Sequence, residues 1–349
     1  MNQAIPLETQ TLYAELLERL RVLELERTFG HLAGGFGRKV VEGKTFWYFR
    51  TSEGGHGRSE FYVGPDSEST LKLMAHYRPQ RREALEAQAD LARIASMLTI
   101  GGCMRTDAPS ARVISALASG GIFRLGGVLV GTHAYIALGN LLGFRWVHST
   151  HTQDIDFAAF RTLEVGVSHG QTDLWGALDA LQMGFLPVPG LDPNSPHTSY
   201  SVRGQKLRVD LLTTASRRGP FTPIRIPRFQ AAALPMPFMD YLLEGNIHAL
   251  ALSGGVSLVK VPDPARYGFH KLLVADERSI AEQTKVAKDI AQASEMLALL
   301  LRLRPGDVER AYGALKKRGL GKRVARTAAR HLPKESPILN FISGDGKVD

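Results

Sequence analysis

One acid in an otherwise apolar strand constrains this chain more than any other feature. The run Leu207-Arg-Val-Asp210-Leu-Leu212 is aliphatic enough to lie inside a sheet, yet it carries Asp210 near its middle. A carboxylate in that position is costly unless it has a partner or a cation. A salt bridge to Arg208 or Arg203 is one solution. A shared cation is the other, and a second run, Asp154-Ile-Asp156-Phe157, would supply its remaining ligands. On a strand, residues i and i+2 face the same way, about 6.6 Å apart along the chain. Asp154 and Asp156 therefore project together while Ile155 and Phe157 turn to the core. Neighbouring carboxylates repel unless cations lie between them, and hard cations with oxygen ligands fit best, magnesium above all, or manganese in its place. If the two strands lie side by side, Asp154, Asp156 and Asp210 form one cluster. Such a cluster can hold two metal ions about 3.5–4 Å apart, the arrangement that serves in-line nucleotidyl transfer. A bare Asp-x-Asp on a solvated edge is the alternative.

A third feature lies upstream. The apolar strand Gly127-Val-Leu-Val130 runs into Gly131-Thr132, and a helix-compatible segment follows, His133 to Gly143. Glycine with a hydroxyl residue at a strand-to-helix turn lets backbone N–H groups approach phosphate oxygens. Strand-like runs (126–130, 207–212, 256–261) alternate with helical ones (134–142, 174–183) across this region, which is an α/β pattern.

The order of strand, Gly131-Thr132, helix, Asp154-Ile-Asp156-Phe and a later lone Asp210 resembles the active-site plan of the DNA polymerase β-like nucleotidyltransferase superfamily. The resemblance spans roughly residues 121–300. It implies that Gly131 and Thr132 hold a nucleoside triphosphate, ATP among them, and that Asp154, Asp156 and Asp210 are the catalytic, metal-binding acids. The 22 positions from Thr132 to Asp154 are more than in the polymerases. In that spacing the chain looks like the bacterial abortive-infection, toxin-type transferases. His133 departs from the small residue common there. Those enzymes carry a lysine in the first helix after the core and a Lys-Asp pair in the next. The resemblance thus implies that Lys271 neutralises the triphosphate and that Asp289, beside Lys288, orients it or another basic group; solvated helix-face charges are the alternative.

The formal net charge is +9, which favours a polyanionic partner, nucleic acid first. The tract from Lys316 through Lys317, Lys322 and Arg323 to Arg330 is basic at helical spacing and would grip an RNA backbone, or form a solvated helix face. Residues 45–50 (TFWYFR), with Arg58, set aromatics beside basic groups as single-strand binders do, although a small sheet core explains such aromatics equally well. His148 and His151 read as loop residues. Gly34-Gly-Phe-Gly-Arg-Lys39 lacks the spacing and the final Ser/Thr of a phosphate loop. Cys103 is the lone cysteine, so an internal disulfide or a cysteine zinc site is excluded. With neither a signal-like N-terminus nor an 18-residue apolar run, the expectation is a cytoplasmic protein with no membrane partner.

These readings predict an α/β (α+β) nucleotidyltransferase core with a mixed sheet over residues 116–262. An N-terminal helix and β-meander module (1–115) would precede it and a helical domain (263–349) would follow. The reaction implied is transfer of a nucleoside monophosphate from a triphosphate to an acceptor hydroxyl, RNA or the 3′ end of tRNA foremost. A protein or small-molecule hydroxyl, or an inactive fold that only binds nucleic acid, are the alternatives.

Overall fold

The computed structural model describes residues 3–25, 34–51, 60–147, 152–161, 172–190, 195–215 and 222–344. His148, His151 and Arg58 lie outside these residues. A short strand β1 (Gln3–Ala4) precedes helix α1 (Leu7–Leu25). Three antiparallel strands follow, β2 (Gly34–Val41), β3 (Lys44–Thr51) and β4 (Glu60–Pro65), which form the expected meander. The glycine-rich segment at 34–39 is paired strand here and no phosphate loop. Helix α2 (Glu68–Ile100) starts where the Ser67 side chain accepts from the Thr70 N–H. Helix α3 (Ala108–Ser119) starts in the same way at Asp107, with Pro109 in its first turn. That helix runs across the boundary expected between residues 115 and 116.

The central region continues with β5 (Val128–Leu129), α4 (Gly131–Leu142), β6 (Phe144–Arg145), β7 (Asp154–Ala159) and α5 (Leu174–Asp179). Then come β8 (Phe185–Pro187), β9 (Ser199–Val202), β10 (Arg208–Thr214), β11 (Ile224–Ile226), β12 (Ala231–Met236) and helix α6 (Met239–Leu243). Seven of these strands form one mixed sheet in the order β11-β12-β10-β7-β5, with β9 along the first half of β10 and β8 beyond it. β7, β10 and β12 are mutually parallel and the other pairings antiparallel. Burial alternates along the two middle strands: Ile155, Phe157, Val209 and Leu211 are buried, whereas Asp154 and Arg208 are exposed. Strand β14 (Val256–Val261), expected within the α/β alternation, pairs instead with β13 (Ile247–Leu252) in a separate hairpin. The short Ser253-Gly254-Gly255 connection favours that local partner.

Five α-helices follow among the described residues: α7 (Pro264–Glu277), α8 (Gln283–Leu303), α9 (Pro305–Lys317), α10 (Gly321–His331) and α11 (Pro337–Ser343). Proline at the start of α7, α9 and α11 matches its preference for the first helical turn. In α8, Ala293, Leu297 and Leu300 are buried and Ile290 packs against them, while Val286 at the same spacing is half-buried. One hydrophobic cluster runs from Val113 through the sheet to Ile342, so the C-terminal helices share a core with the sheet. A second, smaller cluster joins α1, the end of α2 and the β13–β14 hairpin through Tyr13, Leu16, Ile94, Leu98, Leu250 and Leu252. No helix among the described residues is long and apolar enough to cross a membrane.

A close helix approach in this core sets α7 on α8. A Cβ on Gly268 would lie 2.7 Å from Leu297 Cγ and 2.9 Å from its Cδ2. Alanine normally stabilises a helix interior by about 1 kcal/mol over glycine, but overpacking costs about 1–3 kcal/mol. Because Leu297 is fully buried and has nowhere to move, the clash wins. Gly268→Ala should destabilise the fold in chemical denaturation, and a gain in stability would contradict this packing.

Candidate active site

The sheet register brings the expected acids together. β7 and β10 run parallel with Asp156 opposite Asp210 and Asp154 opposite Arg208, and neighbouring strands lie about 4.8 Å apart. All four side chains share one face, since each pair is spaced by two on its strand. β9 adds Ser199 opposite Asp210 and Ser201 opposite Arg208 on the other edge of β10. β5 flanks β7 on its far side and delivers the chain to the turn at Gly131.

Gly131 is required where it stands. Its φ is +64°, and a Cβ there would overlap Asp156 Oδ2 and lie 3.2 Å from Asp156 Cγ. The Val130 N–H donates to the Asp156 carbonyl at 2.9 Å, tying the turn to β7. Helix α4 then begins without a side-chain cap, so its first N–H groups face the acids unclaimed by a capping residue. Thr132 is buried, so the turn offers backbone rather than an open hydroxyl. His133 is buried as well, with neither ring nitrogen bonded among the described residues. Burial pushes its pKa down to about 4, Asp107 opposing and Lys288 adding to the shift, so it is a neutral imidazole.

The three carboxylates stand in different surroundings. Asp154 is exposed and Asp156 half-buried. Asp156 keeps a solvent edge, yet crowding by protein atoms raises its pKa first, followed by the charge of Asp210; Lys271 opposes, Asp154 adds and Arg208 opposes. The result is about 6. Asp210 is engaged: both its oxygens lie 2.9 Å from Arg208 Nε, and Ser199 donates to Oδ1. Arg208 also reaches Ser199 Oγ at 3.0 Å. The salt bridge that the sequence left open is therefore present. Among the described residues no three acidic, histidine or cysteine side chains already stand close enough to hold an ion.

Helices α7 and α8 close the other side. Lys271 Nζ donates to Asp289 Oδ1 at 2.8 Å and Arg278 Nε to Asp289 Oδ2 at 2.7 Å. Burial would raise the Asp289 pKa, but the two cations more than offset it and hold the group below the usual carboxylate range. Asp289 is thus an orienting anchor for Lys271 and Arg278 rather than a solvated face charge. Lys271 also lies 5.4 Å over the Tyr267 ring. The Tyr267 hydroxyl is 3.0 Å from the Gly131 carbonyl and 2.9 Å from Gln292 Oε1, so it can donate to either. Lys288 is half-buried in the fields of Asp289, Asp154 and Asp156.

The basic tract divides. Lys316, Lys317 and Lys322 are exposed, Lys316 lying 5.5 Å over the Tyr312 ring. Arg323 is spent inside the protein, 2.7 Å from Asp276 and also paired with Glu277. Arg318 pairs with Glu244 at 2.7 Å. Sequence reasoning missed Tyr267, Arg278 and Ser199. Tyr267 sits four residues before Lys271, one helical turn, which was a readable cue; the other two depend on tertiary register.

The raised Asp156 pKa has a direct consequence for stability. The folded protein binds this proton more tightly than the unfolded chain, so stability falls as pH rises from about 4 to about 6. Asp156→Asn removes that loss. In EDTA the variant should melt above the wild type at pH 8, with the difference closing toward pH 4. An equal or lower melting temperature at pH 8 would contradict the crowded-carboxylate geometry.

No curated protein and no solved structure matches the chain. A nucleotidyltransferase family profile matches residues 108–316, from the start of α3 to the last turn of α9 and more than half of the chain. That span holds Gly131, Asp154, Asp156, Asp210, Lys271 and Asp289, and it leaves out the meander and α10. The chain belongs to this nucleotidyltransferase family and is an enzyme of that class.

Proposed function

We propose that the enzyme transfers a nucleoside monophosphate from a triphosphate to an acceptor hydroxyl at the Asp154–Asp156–Asp210 face, with divalent metal. The observation that carries this reading is the register of Asp156 with Asp210, with Gly131 pressed against the Asp156 carboxylate. The donor set is oxygen only, and the uncompensated crowding of Asp156 fits a hard cation. Asp154 and Asp156 would hold it, and Asp210 would join once Arg208 gives up its two 2.9 Å contacts. When bound, magnesium would supply Lewis acidity, offsetting phosphate charge and lowering the pKa of the attacking hydroxyl. The chain's own groups then do the positioning. The uncapped N-terminus of α4 receives phosphate oxygens. Lys271, held by Asp289, neutralises charge that builds as pyrophosphate leaves the α-phosphorus. Tyr267 fixes the turn by its contact with the Gly131 carbonyl.

RNA is the proposed acceptor, supported by the net charge of +9 and the exposed Lys316, Lys317 and Lys322. The likeness to toxin-type transferases in spacing points the same way. A protein or small-molecule hydroxyl is the second reading, favoured by the self-pairing of Arg318 and Arg323. Incubation with each labelled triphosphate, magnesium and total RNA tests both. Label should enter RNA, and Asp154→Ala or Asp156→Ala should abolish its transfer while each variant still folds. Label that enters protein or small molecules alone overturns the RNA assignment. Metal-dependent transfer that persists in Asp156→Ala overturns the site.

A further inference from the structure

We infer that the outer face of the N-terminal meander is a stacking platform for single-stranded RNA, an inference that rests on the RNA-acceptor reading above. The meander has two unlike faces. Phe36 and Phe49 of the inner face pack with Tyr77 of α2, all with ring centroids 5.3 Å apart, and Phe49 is fully buried. The outer face carries Phe46, Tyr48 and Tyr62. The Tyr62 ring is 5.6 Å from Tyr48 and 6.2 Å from Phe46, and Tyr62 is 58% exposed. A tyrosine that exposed, within a cluster of three rings, is not part of the sheet's core.

The surroundings select a nucleic acid over an apolar partner. Lys39 lies 4.7 Å over the Tyr48 ring, and Lys44 and Arg50 share this face by register. Glu60 pairs with Lys39 and Arg50 and holds them beside the rings, which leaves three cations to one acid on the face. Gly35 has no atom within 4 Å of where a Cβ would sit, so the floor next to the rings is open backbone. Planar rings edged by cations suit bases that stack while their phosphates are neutralised.

The position of the face points to a polymer. In α2 no residue between Tyr77 and Ile94 is buried, and the contact with the second cluster begins only at Leu91 and Ile94. At 1.5 Å per residue those seventeen steps span about 25 Å. A polymeric acceptor can span a separation of that size, whereas a mononucleotide cannot. The family match begins at residue 108, so the meander lies outside the matched span.

The test is fluorescence anisotropy of a labelled oligouridylate of roughly 12 nucleotides, with the full chain and with neither triphosphate nor metal. The paired substitution Tyr48→Leu, Tyr62→Leu keeps apolar bulk and removes the π faces, and should weaken binding about tenfold or more. Tyr48→Phe, Tyr62→Phe should bind as the wild type does. Lys44→Gln should reduce the slope of log affinity against log salt by about 0.7. Circular dichroism verifies the fold of each variant. Unchanged RNA binding in the leucine pair overturns the platform. So does a self-association, seen by sedimentation, that the leucine pair abolishes while RNA binding persists; the face then belongs to a second copy of the chain. Because binding is read without transfer, RNA that is bound but never labelled overturns the acceptor assignment and leaves the platform standing.

Discussion

The structure is organised around a repulsion. Parallel pairing of β7 with β10 sets Asp156 directly across from Asp210, with Asp154 two residues before it on the same face. Like charges one strand apart are unfavourable, and the surrounding residues are arranged to tolerate them. Arg208 takes up Asp210, and Ser199 adds a hydrogen bond from the neighbouring strand. Asp156 receives no such partner among the described contacts. Burial first, and the charge of Asp210 second, make it bind its proton more tightly and raise its pKa to about 6. A fold that retains this arrangement gives up stability at neutral pH, which is expected where a carboxylate serves chemistry.

The same constraint explains the backbone beside it. Gly131 adopts a left-handed conformation against the Asp156 carboxylate, so no other residue fits without strain. The turn it makes starts α4, and the carbonyl of that glycine is reached by Tyr267 from α7. Helix α7 is in turn tied to α8 by the pairing of Lys271 and Arg278 with the buried Asp289 and by the close approach at Gly268. A single buried carboxylate, Asp289, thus holds two cations at the edge of the acid face. Removing one cation leaves the other paired, whereas removing Asp289 would release Lys271 and leave Arg278 only its 3.2 Å contact with Glu282.

Much of this was legible in the sequence because it depends on local patterning. The alternation in Asp154-Ile155-Asp156-Phe157 and the acid within an aliphatic run defined both strands and their shared face. The helical character of the C-terminal residues followed from apolar spacing. What escaped depends on tertiary choice. Short strands such as β9, β11 and β12 carry three to six residues, including Ser and Pro, too few to show a period. α3 was hidden by the glycines before it, although Asp107 followed by Pro109 is a start signal. The partner of Val256–Val261 was a question of pairing, which periodicity cannot answer. Arg323 looked like a phosphate ligand because a sequence does not show that Asp276 and Glu277 lie across from it.

The central claim is that Asp154 and Asp156, with Asp210, form the metal face on which the triphosphate sits. Diffraction from crystals grown with manganese and a non-hydrolysable triphosphate tests it most directly, because anomalous scattering locates the ions without assumptions about catalysis. The account predicts anomalous density within coordination distance of Asp154 and Asp156, phosphates at the Gly131 turn, and Arg208 withdrawn from Asp210. Manganese held elsewhere, with the Arg208–Asp210 pair intact and the triphosphate away from Gly131, would contradict it.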